Sequence, residues 1–96
     1  MLLHLGKSTS IPLKNIIAII DVESTDKSEY TKAFLKSAKE NGNIDDISEN
    51  TKSYIITQEI KKDKSSKKKV KVSRIYTSNI STLTLQKRAG FIEDIN

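Results

Sequence analysis

The amino-acid sequence predicts a small α+β domain, with a mostly antiparallel β-sheet, one long amphipathic helix and a short C-terminal helix. Three patterns in its 96 residues support this prediction. A run of β-branched residues covers 15–22, apolar residues recur at helical spacing over 30–41, and two alternating runs flank a lysine-rich segment. No linker-like segment divides the chain, so residues 1–96 are expected to form a single domain at the small end of the usual size range.

The first predicted strands lie at the start of the chain and are short. Residues 2–5 form a strand that Gly6 ends, and Ile11 with Pro12 predicts an edge segment, because proline cannot donate a hydrogen bond within a central ladder. The run 15–22 is apolar on both faces, so we expect this strand in the middle of a covered sheet.

The long helix is predicted from a stripe of apolar and small residues. Its members recur at spacings of three and four: Tyr30, Ala33, Phe34, Ser37, Ala38 and Asn41. Thr25 or Asp26 can cap the start of this helix, and Gly42 accepts the left-handed conformation that ends it.

A β-hairpin and a short helix complete the predicted fold. Residues 52–60 and 70–76 alternate between apolar and polar side chains, and the lysine-rich segment 61–69 is the nine-residue connection between them. Ser78 can cap a last helix over residues 80–89, with Gly90 at its C-terminal stop.

The composition argues against several kinds of site. The chain has no cysteine and one histidine, too few ligands for a zinc or other transition-metal centre. Its three glycines are too far apart for a nucleotide-binding loop, and the paired carboxylates of Asp45 and Asp46 lie on polar sequence, where solvated charge is the usual role. His4 is expected to be a partly buried structural residue. We therefore predict no enzymatic activity, no metal, no cofactor and no small-molecule substrate.

The apolar segments are too short to cross a membrane. The longest, residues 16–20, has the length of a strand, and the apolar start of the chain is broken by Gly6 and Lys7 before it can form a signal peptide. A cytoplasmic protein with no membrane partner is predicted. Hydrophobic residues are 35% of the chain, and a domain with so few of them often gains stability by self-association.

The basicity of the chain is concentrated between residues 61 and 71. This segment has seven lysines and one aspartate, a net charge of +6, whereas the whole chain carries +5. A basic run between β-strands is typical of a phosphate-binding segment, and it is also typical of a solvated loop without a ligand. Because no aromatic residue is interleaved with the lysines, the segment has no means of stacking on bases.

Four segments, taken in order, resemble a known family. They are residues 3–6, 14–21, 51–57 and 76–89, and together they resemble the RemA/RemB-type extracellular matrix regulators, the RemB branch in particular. The resemblance extends over residues 2–91. It implies a small bacterial DNA-binding regulator of biofilm matrix genes, with a fold similar to LytTR-type domains. It also implies that the subunits assemble into a closed ring and that DNA is bent or wrapped around the outside.

The resemblance transfers unevenly to individual residues. A basic contact before the central strand falls at Lys14 or Asn15. The RemA branch has a pair of arginines before the third strand, and here Glu49 and Asn50 hold those places, with Lys52 just beyond them. Segment 61–69 is an insertion relative to the family pattern, so no family role transfers to it.

The sequence thus predicts a homo-oligomeric DNA-binding regulator that contacts mainly phosphate. Eight lysines are the candidate contacts: Lys14, Lys52, Lys61, Lys62, Lys64, Lys67, Lys68 and Lys69. The alternative is a ring-forming structural protein that has lost DNA binding, which the acidic Glu49 favours. An RNA-binding domain requires exposed stacking aromatics, and the helix and strand patterns place most of the five aromatic residues in the core.

Overall fold

The chain folds into two β-sheets and three helices in a computed structural model that describes residues 1–6, 8–45 and 50–90. In chain order the elements are β1 (Leu2–Gly6), β2 (Thr9–Pro12), β3 (Ile16–Asp21), α1 (Val22–Asp26), α2 (Glu29–Glu40), β4 (Ile44–Asp45), β5 (Ser53–Lys62), β6 (Lys69–Ser78) and α3 (Thr82–Arg88). The predicted α+β class is confirmed, with α2 as the long helix and α3 as the short C-terminal one. The likeness to LytTR-type domains stays a prediction.

The larger sheet has four strands in the order β3-β5-β6-β4, and its two central strands form one long hairpin. β5 and β6 pair antiparallel over all ten residues of each strand, from Ser53 opposite Ser78 to Lys62 opposite Lys69. β3 pairs antiparallel with β5, and β4 pairs parallel with β6. The smaller sheet is the antiparallel hairpin of β1 and β2.

β3 lies at the edge of the larger sheet, so the prediction of a central strand is wrong. Among the described strands its one neighbour is β5. The register shifts between Ile16 and Ala18, and Ile17 at this irregularity is 58% exposed. β5 and β6 occupy the centre because they pair with each other along their whole length, which leaves β3 a single partner.

The hydrophobic core fills the space between one face of the larger sheet and the layer formed by β1, β2 and α3. Its buried members come from all of these elements: Leu3, Leu5, Ile11, Ile19, Ile55 and Leu85. Two buried hydroxyl groups connect the layers. Ser78 Oγ donates to the carbonyl oxygen of Leu5 at 2.8 Å, and Ser53 Oγ donates to that of Ile80 at 2.8 Å. The first of these bonds satisfies the Leu5 carbonyl, which burial has removed from water.

The long helix α2 starts later than predicted. Residues Val22–Asp26 form the separate helix α1, so Thr25 and Asp26 do not cap α2 as expected. Ser28 is the cap, because its Oγ accepts the backbone N–H of Thr31 at 3.2 Å. The helical spacing of apolar residues does not separate two helices that follow each other so closely.

The C-terminal helix α3 also uses a different cap. Ser81 takes this role in place of Ser78, since its Oγ accepts the backbone N–H of Thr84 at 3.3 Å. Ser78 is fully buried and bonds within the core instead. Both predicted glycine stops are confirmed, because Gly42 and Gly90 follow their helices with φ angles of 71° and 78°.

α2 packs on one flank of its apolar stripe. Ala38 is its buried residue, and Leu35 is half-buried. Tyr30 and Phe34 belong to the predicted stripe, yet they are 87% and 45% exposed. Tyr30 and Phe34 thus form an exposed strip on α2 outside the core, which we call the outward aromatic strip.

Candidate nucleic-acid interface

The β5-β6 hairpin extends past the rest of the sheet as a two-stranded segment, residues 58–73, which we call the ribbon. β3 pairs with β5 no farther toward the tip than Thr57, and β4 pairs with β6 at Ile75 and Tyr76. Beyond these residues the two strands pair only with each other, as far as the described residues show. Residues 59–62 and 64–71 are exposed, and the molecule is elongated, with extents of 50 × 32 × 23 Å. The ribbon thus presents both of its faces to solvent.

The two faces of the ribbon differ in charge. Residues paired directly across antiparallel strands share a face, and successive residues alternate between faces. One face carries Lys62, Lys69 and Lys71 with no acidic residue, and we call it the basic face. The other, the neutral face, carries Lys61 and Glu59, whose Nζ and Oε2 atoms are 3.9 Å apart. An approaching anion therefore meets three positive charges on one side and a compensated pair on the other.

Two lysines of the basic face, Lys62 and Lys69, lie directly opposite each other at the end of the ladder. Cross-strand neighbours have Cβ atoms about 5 Å apart, so two like charges at this position repel and destabilise the hairpin. Phosphate oxygens beside the two ammonium groups remove the repulsion and accept a charge-assisted hydrogen bond from each. The pair is therefore suited to contact a phosphate backbone.

The tip of the ribbon, residues 63–68, is organised by Asp63. Its Oδ1 accepts the backbone N–H of Ser65 at 3.2 Å and the Ser65 hydroxyl at 3.1 Å, and its Oδ2 accepts the Ser66 hydroxyl at 2.8 Å. Two hydrogen bonds hold the pKa of the Asp63 carboxyl below its usual value, because they stabilise its charged form. The bond from the Ser66 hydroxyl has the larger effect, and the bond from the Ser65 backbone N–H comes next. Asp63 is thus ionised at neutral pH and bonded within the turn.

Backbone hydrogen bonds close the same turn. The N–H of Asp63 donates to the carbonyl oxygen of Lys68 at 2.8 Å, and the N–H of Lys67 donates to that of Asp63 at 2.8 Å. Lys67 adopts a left-handed conformation, with φ of 58°, at a cost of about 1 kcal/mol for a residue with a side chain. The predicted nine-residue loop is a turn of six residues, because the strands extend into the lysine run at both ends. Its status as an insertion in the family stays a prediction.

The two isolated candidate lysines lie beside different parts of β5. Lys14, in the short turn before β3, lines a groove with Gln58 and Ile60 at the root of the ribbon. Lys52 precedes the first residue of β5 and lines a different groove with Asp21. Because a strand rises about 3.3 Å per residue, the ten residues of β5 separate Lys52 from the ribbon tip by about 30 Å. The structure brings Lys14 close to the ribbon and leaves Lys52 apart from it.

Two basic residues of the hairpin were absent from the predicted contacts. Lys71 lies on the basic face, and the alternation from Lys69 identifies it once β6 is known to begin there. Arg74 lies at the root of the ribbon opposite Thr57, whose Oγ1 donates to the Arg74 carbonyl oxygen at 3.0 Å. No pattern in the sequence identifies Arg74 in the same way, because its place at the root of the ribbon depends on where β3 stops pairing with β5.

An apolar groove of about 210 Å³ lies between α2 and the sheet. Phe34, Ser37 and Asn41 line it from the helix side, and Ile56 and Ile75 line it from the sheet. Because Phe34 is exposed beside this groove, the prediction that the aromatic residues lie in the core is wrong for α2. The groove and the outward aromatic strip of α2 form an apolar surface that water covers in a single subunit.

The remaining candidate positions can be placed within the described part of the chain. His4 is exposed, not partly buried as predicted, and its Nδ1 lies 3.4 Å from Ser10 Oγ on the neighbouring strand. At the positions that correspond to the RemA-branch arginines, Glu49 lies outside the described residues and Asn50 is exposed. In residues 1–6, 8–45 and 50–90, no three His, Cys, Asp or Glu side chains are grouped as a metal site requires. No helix in those ranges has the length and apolar character needed to cross a bilayer.

Comparison with known families gives one match. Residues 2–89 match the family described as RemA-like, extracellular matrix regulatory protein A-like. No curated protein matches the chain significantly. The family match spans every element from β1 to α3.

Proposed function

The chain belongs to the RemA-like family of extracellular matrix regulators, and we propose that it is a transcriptional regulator of matrix or biofilm genes that binds DNA through the ribbon. This family is not known as a family of enzymes. The observation that supports DNA binding is the basic face, on which three lysines lie on one side of a projecting hairpin and three more follow at its tip.

A two-stranded antiparallel ribbon has the right dimensions for DNA. The major groove of B-DNA is about 12 Å wide and accepts a β-ribbon, whereas the minor groove is about half as wide. The ribbon extends past the sheet on both strands, so it can enter the groove or lie along its wall while the body of the domain stays outside. The basic face then lies against one phosphate backbone.

Six lysines make the principal contacts. They are the basic-face and tip lysines: Lys62, Lys64, Lys67, Lys68, Lys69 and Lys71. Each neutralised phosphate releases counterions, so six contacts give a slope of about −5 in log K against log salt. Lys14 extends the contact because it lies at the root of the ribbon, although Glu59 lines the same groove. Lys61 is paired with Glu59, and Lys52 lies apart from the ribbon in a groove with Asp21, so both contribute less. Because phosphate contacts carry no base information, sequence preference arises from DNA shape and deformability.

Self-association into a closed ring multiplies these contacts. The outward aromatic strip of α2, Tyr30 with Phe34, and the exposed Ile17 on the edge strand β3 are surfaces of the kind that a second subunit covers. Each added subunit contributes one ribbon, and weak contacts on one DNA molecule combine through effective concentration. DNA that follows such a series of ribbons is bent or wrapped around the outside of the assembly.

A pair of charge-matched variants tests the proposal. The ribbon variant replaces four lysines by glutamine: Lys62, Lys64, Lys68 and Lys69. The control variant replaces four exposed lysines near α2 in the same way: Lys27, Lys32, Lys36 and Lys39. Each lowers the net charge from +5 to +1, and glutamine preserves helix propensity in the control.

The affinity of each variant for a random DNA duplex is measured at two salt concentrations. The mass of the protein with and without the duplex is measured as well. Four lost contacts at about 0.9 log units each near 0.1 M salt weaken binding by about 10³-fold or more in the ribbon variant. We expect the control to stay within a few-fold of the wild type. Equal loss in both variants shows that net charge and not the ribbon binds DNA, and no loss in the ribbon variant refutes the proposal.

The second candidate function is a ring-forming interaction protein that does not bind DNA. The apolar surface at α2 supports it, since that surface needs a protein partner and no nucleic acid. The same mass measurement separates the two functions. A stable oligomer that takes up no duplex at about 50 mM salt, where phosphate contacts are strong, selects this alternative.

A further inference from the structure

Asp63 is the one acidic residue between Lys61 and Lys71, where a negative charge opposes attraction to phosphate. Its contacts indicate a different role, because both of its carboxylate oxygens accept hydrogen bonds from within the turn. Resting on the proposed function, we infer that Asp63 is a positioning residue. It presets the ribbon tip so that Lys64, Lys67 and Lys68 meet consecutive phosphates of a DNA backbone.

The bonding of Asp63 leaves the tip lysines available to an external anion. The carboxylate is engaged by Ser65 and Ser66, and no described lysine of the tip lies within ion-pair distance of it. Ser66 Oγ also accepts the backbone N–H of Lys68 at 3.3 Å, so the same network holds the backbone on both sides of Lys67. The backbone that carries the tip lysines is thus ordered, and their positive charges are not neutralised within the turn.

Preorganisation is what this network contributes to binding. Holding one backbone residue in a single conformation costs about 1–2 kcal/mol, and an unordered tip incurs that cost when DNA binds. In the observed turn the left-handed conformation of Lys67 is already adopted, and the hydrogen bonds to Asp63 compensate its strain. One residue ordered in advance corresponds to about a tenfold gain in affinity.

The arrangement fits a phosphodiester backbone better than a single phosphate. The tip lysines and the pair Lys62 and Lys69 form a continuous group along the end of the hairpin. Duplex DNA carries one negative charge per about 1.7 Å of its axis, so several of these lysines can each meet a phosphate at once. A single phosphate fills one of these contacts and gains little from a preset turn.

The test separates a positioning role of Asp63 from a simple effect of its negative charge, because the two roles predict opposite changes in DNA affinity when the carboxylate is removed. The test variant is Asp63→Ala, and the matched control is Asp26→Ala on the exposed end of α1. Both raise the net charge by one. Affinity for a random duplex is measured across a salt series, and the amide signals of the tip in the free protein report its order.

We expect Asp63→Ala to bind about tenfold more weakly than wild type, with a shallower salt slope, although the protein is more positive. Asp26→Ala should bind as tightly as wild type or more tightly, with an unchanged slope. Asp63→Asn should fall between, because it retains one acceptor oxygen for Ser65. Equal affinity and slope in Asp63→Ala and Asp26→Ala overturn the inference.

A second variant covers the case in which Asp63→Ala disturbs the hairpin as a whole. Ser66→Ala removes the shortest bond to the carboxylate without changing any charge, and we expect about threefold weaker binding. Wild-type affinity in Ser66→Ala with a disordered tip also overturns the inference. If the four-lysine ribbon variant binds DNA normally, the proposed function fails; if that variant loses binding and Asp63→Ala does not, only the positioning role fails.

Discussion

Replacing Lys69 by glutamine is expected to weaken DNA binding and to stabilise the folded protein. Both effects have the same origin, since Lys69 lies opposite Lys62 with no acidic residue on that face. Without DNA the two ammonium groups repel each other, and under the proposed function each would be neutralised by a phosphate contact. The charge-matched control is Lys61→Gln, on the neutral face of the same ribbon.

The magnitudes follow from the contacts. One phosphate contact corresponds to about 0.9 in the salt slope, which is about eightfold in affinity near 0.1 M salt. Relief of a directly opposed like-charge pair stabilises a hairpin by about 0.5 kcal/mol, which raises the melting temperature of a domain of this size by about 3 °C. Lys61→Gln loses a bond to Glu59 between two side chains that are 58% and 52% exposed, so its effect on stability is near zero or slightly negative.

The assay is fluorescence anisotropy of a labelled random duplex from about 50 to 200 mM salt, together with thermal unfolding of each variant. Lys69→Gln should show a shallower slope and a higher melting temperature. Lys61→Gln should keep the wild-type slope and an affinity within about twofold, because screening limits its effect to about 10 Å. Equal loss of affinity in the two variants, or a lower melting temperature for Lys69→Gln, refutes the distinction between the basic and neutral faces.

Three further predictions concern the core, the apolar surface and the tip. Ser78→Ala leaves the buried carbonyl of Leu5 without its donor, so it should lower the free energy of unfolding by about 2–3 kcal/mol in a urea titration. The control is Ser73→Ala, on the exposed part of the same strand, which should change the free energy of unfolding by less than about 0.5 kcal/mol. Tyr30→Ser should shift the assembly toward smaller species in sedimentation while the monomer fold persists, and an unchanged mass excludes the outward strip of α2 from the interface. The ionised Asp63 carboxylate should keep the tip ordered at neutral pH, and the tip should lose its order as the pH falls through the lowered pKa of Asp63. The amide signals of the tip in an acid titration measure this. If the tip loses its order at a pH above the usual pKa of an aspartate, the pKa of Asp63 is not lowered and the prediction fails.

The local elements of the fold were predictable, and their arrangement was not. Apolar periodicity located α2, and glycine chemistry located its end at Gly42, because both depend on neighbouring residues. The edge position of β3 depends on which strands pair across long sequence separations. An apolar run is compatible with a central strand or with an edge that a partner covers. The outward turn of Tyr30 likewise depends on which flank of the helix meets the sheet.

The sequence predicted most of the lysines that form the candidate site, and it did not predict on which face of the hairpin each of them lies. The sequence identified the lysine run, but lysine is a poor strand former, so the predicted strands ended at Ile60 and began at Val70. The observed strands reach Lys62 and Lys69, and only this extension assigns each lysine to a face. The hydrogen bonds of Asp63 required coordinates, since an aspartate in a basic run has no pattern that distinguishes a solvated charge from a turn organiser.

The construction of the ribbon itself argues for an anionic partner. A two-stranded hairpin without a third strand is marginally stable in water, and residues 58–62 and 69–73 have only each other as partners among the described strands. Opposing Lys62 to Lys69 reduces that stability further, and the left-handed Lys67 adds strain. The like-charge pair and the strained residue both lower the stability of the folded protein, and both lie where the binding of an anion can compensate the lost stability. A phosphate backbone bound along the basic face would supply the counter-charge that this face lacks, since the acidic residue of the paired strands, Glu59, lies on the opposite face.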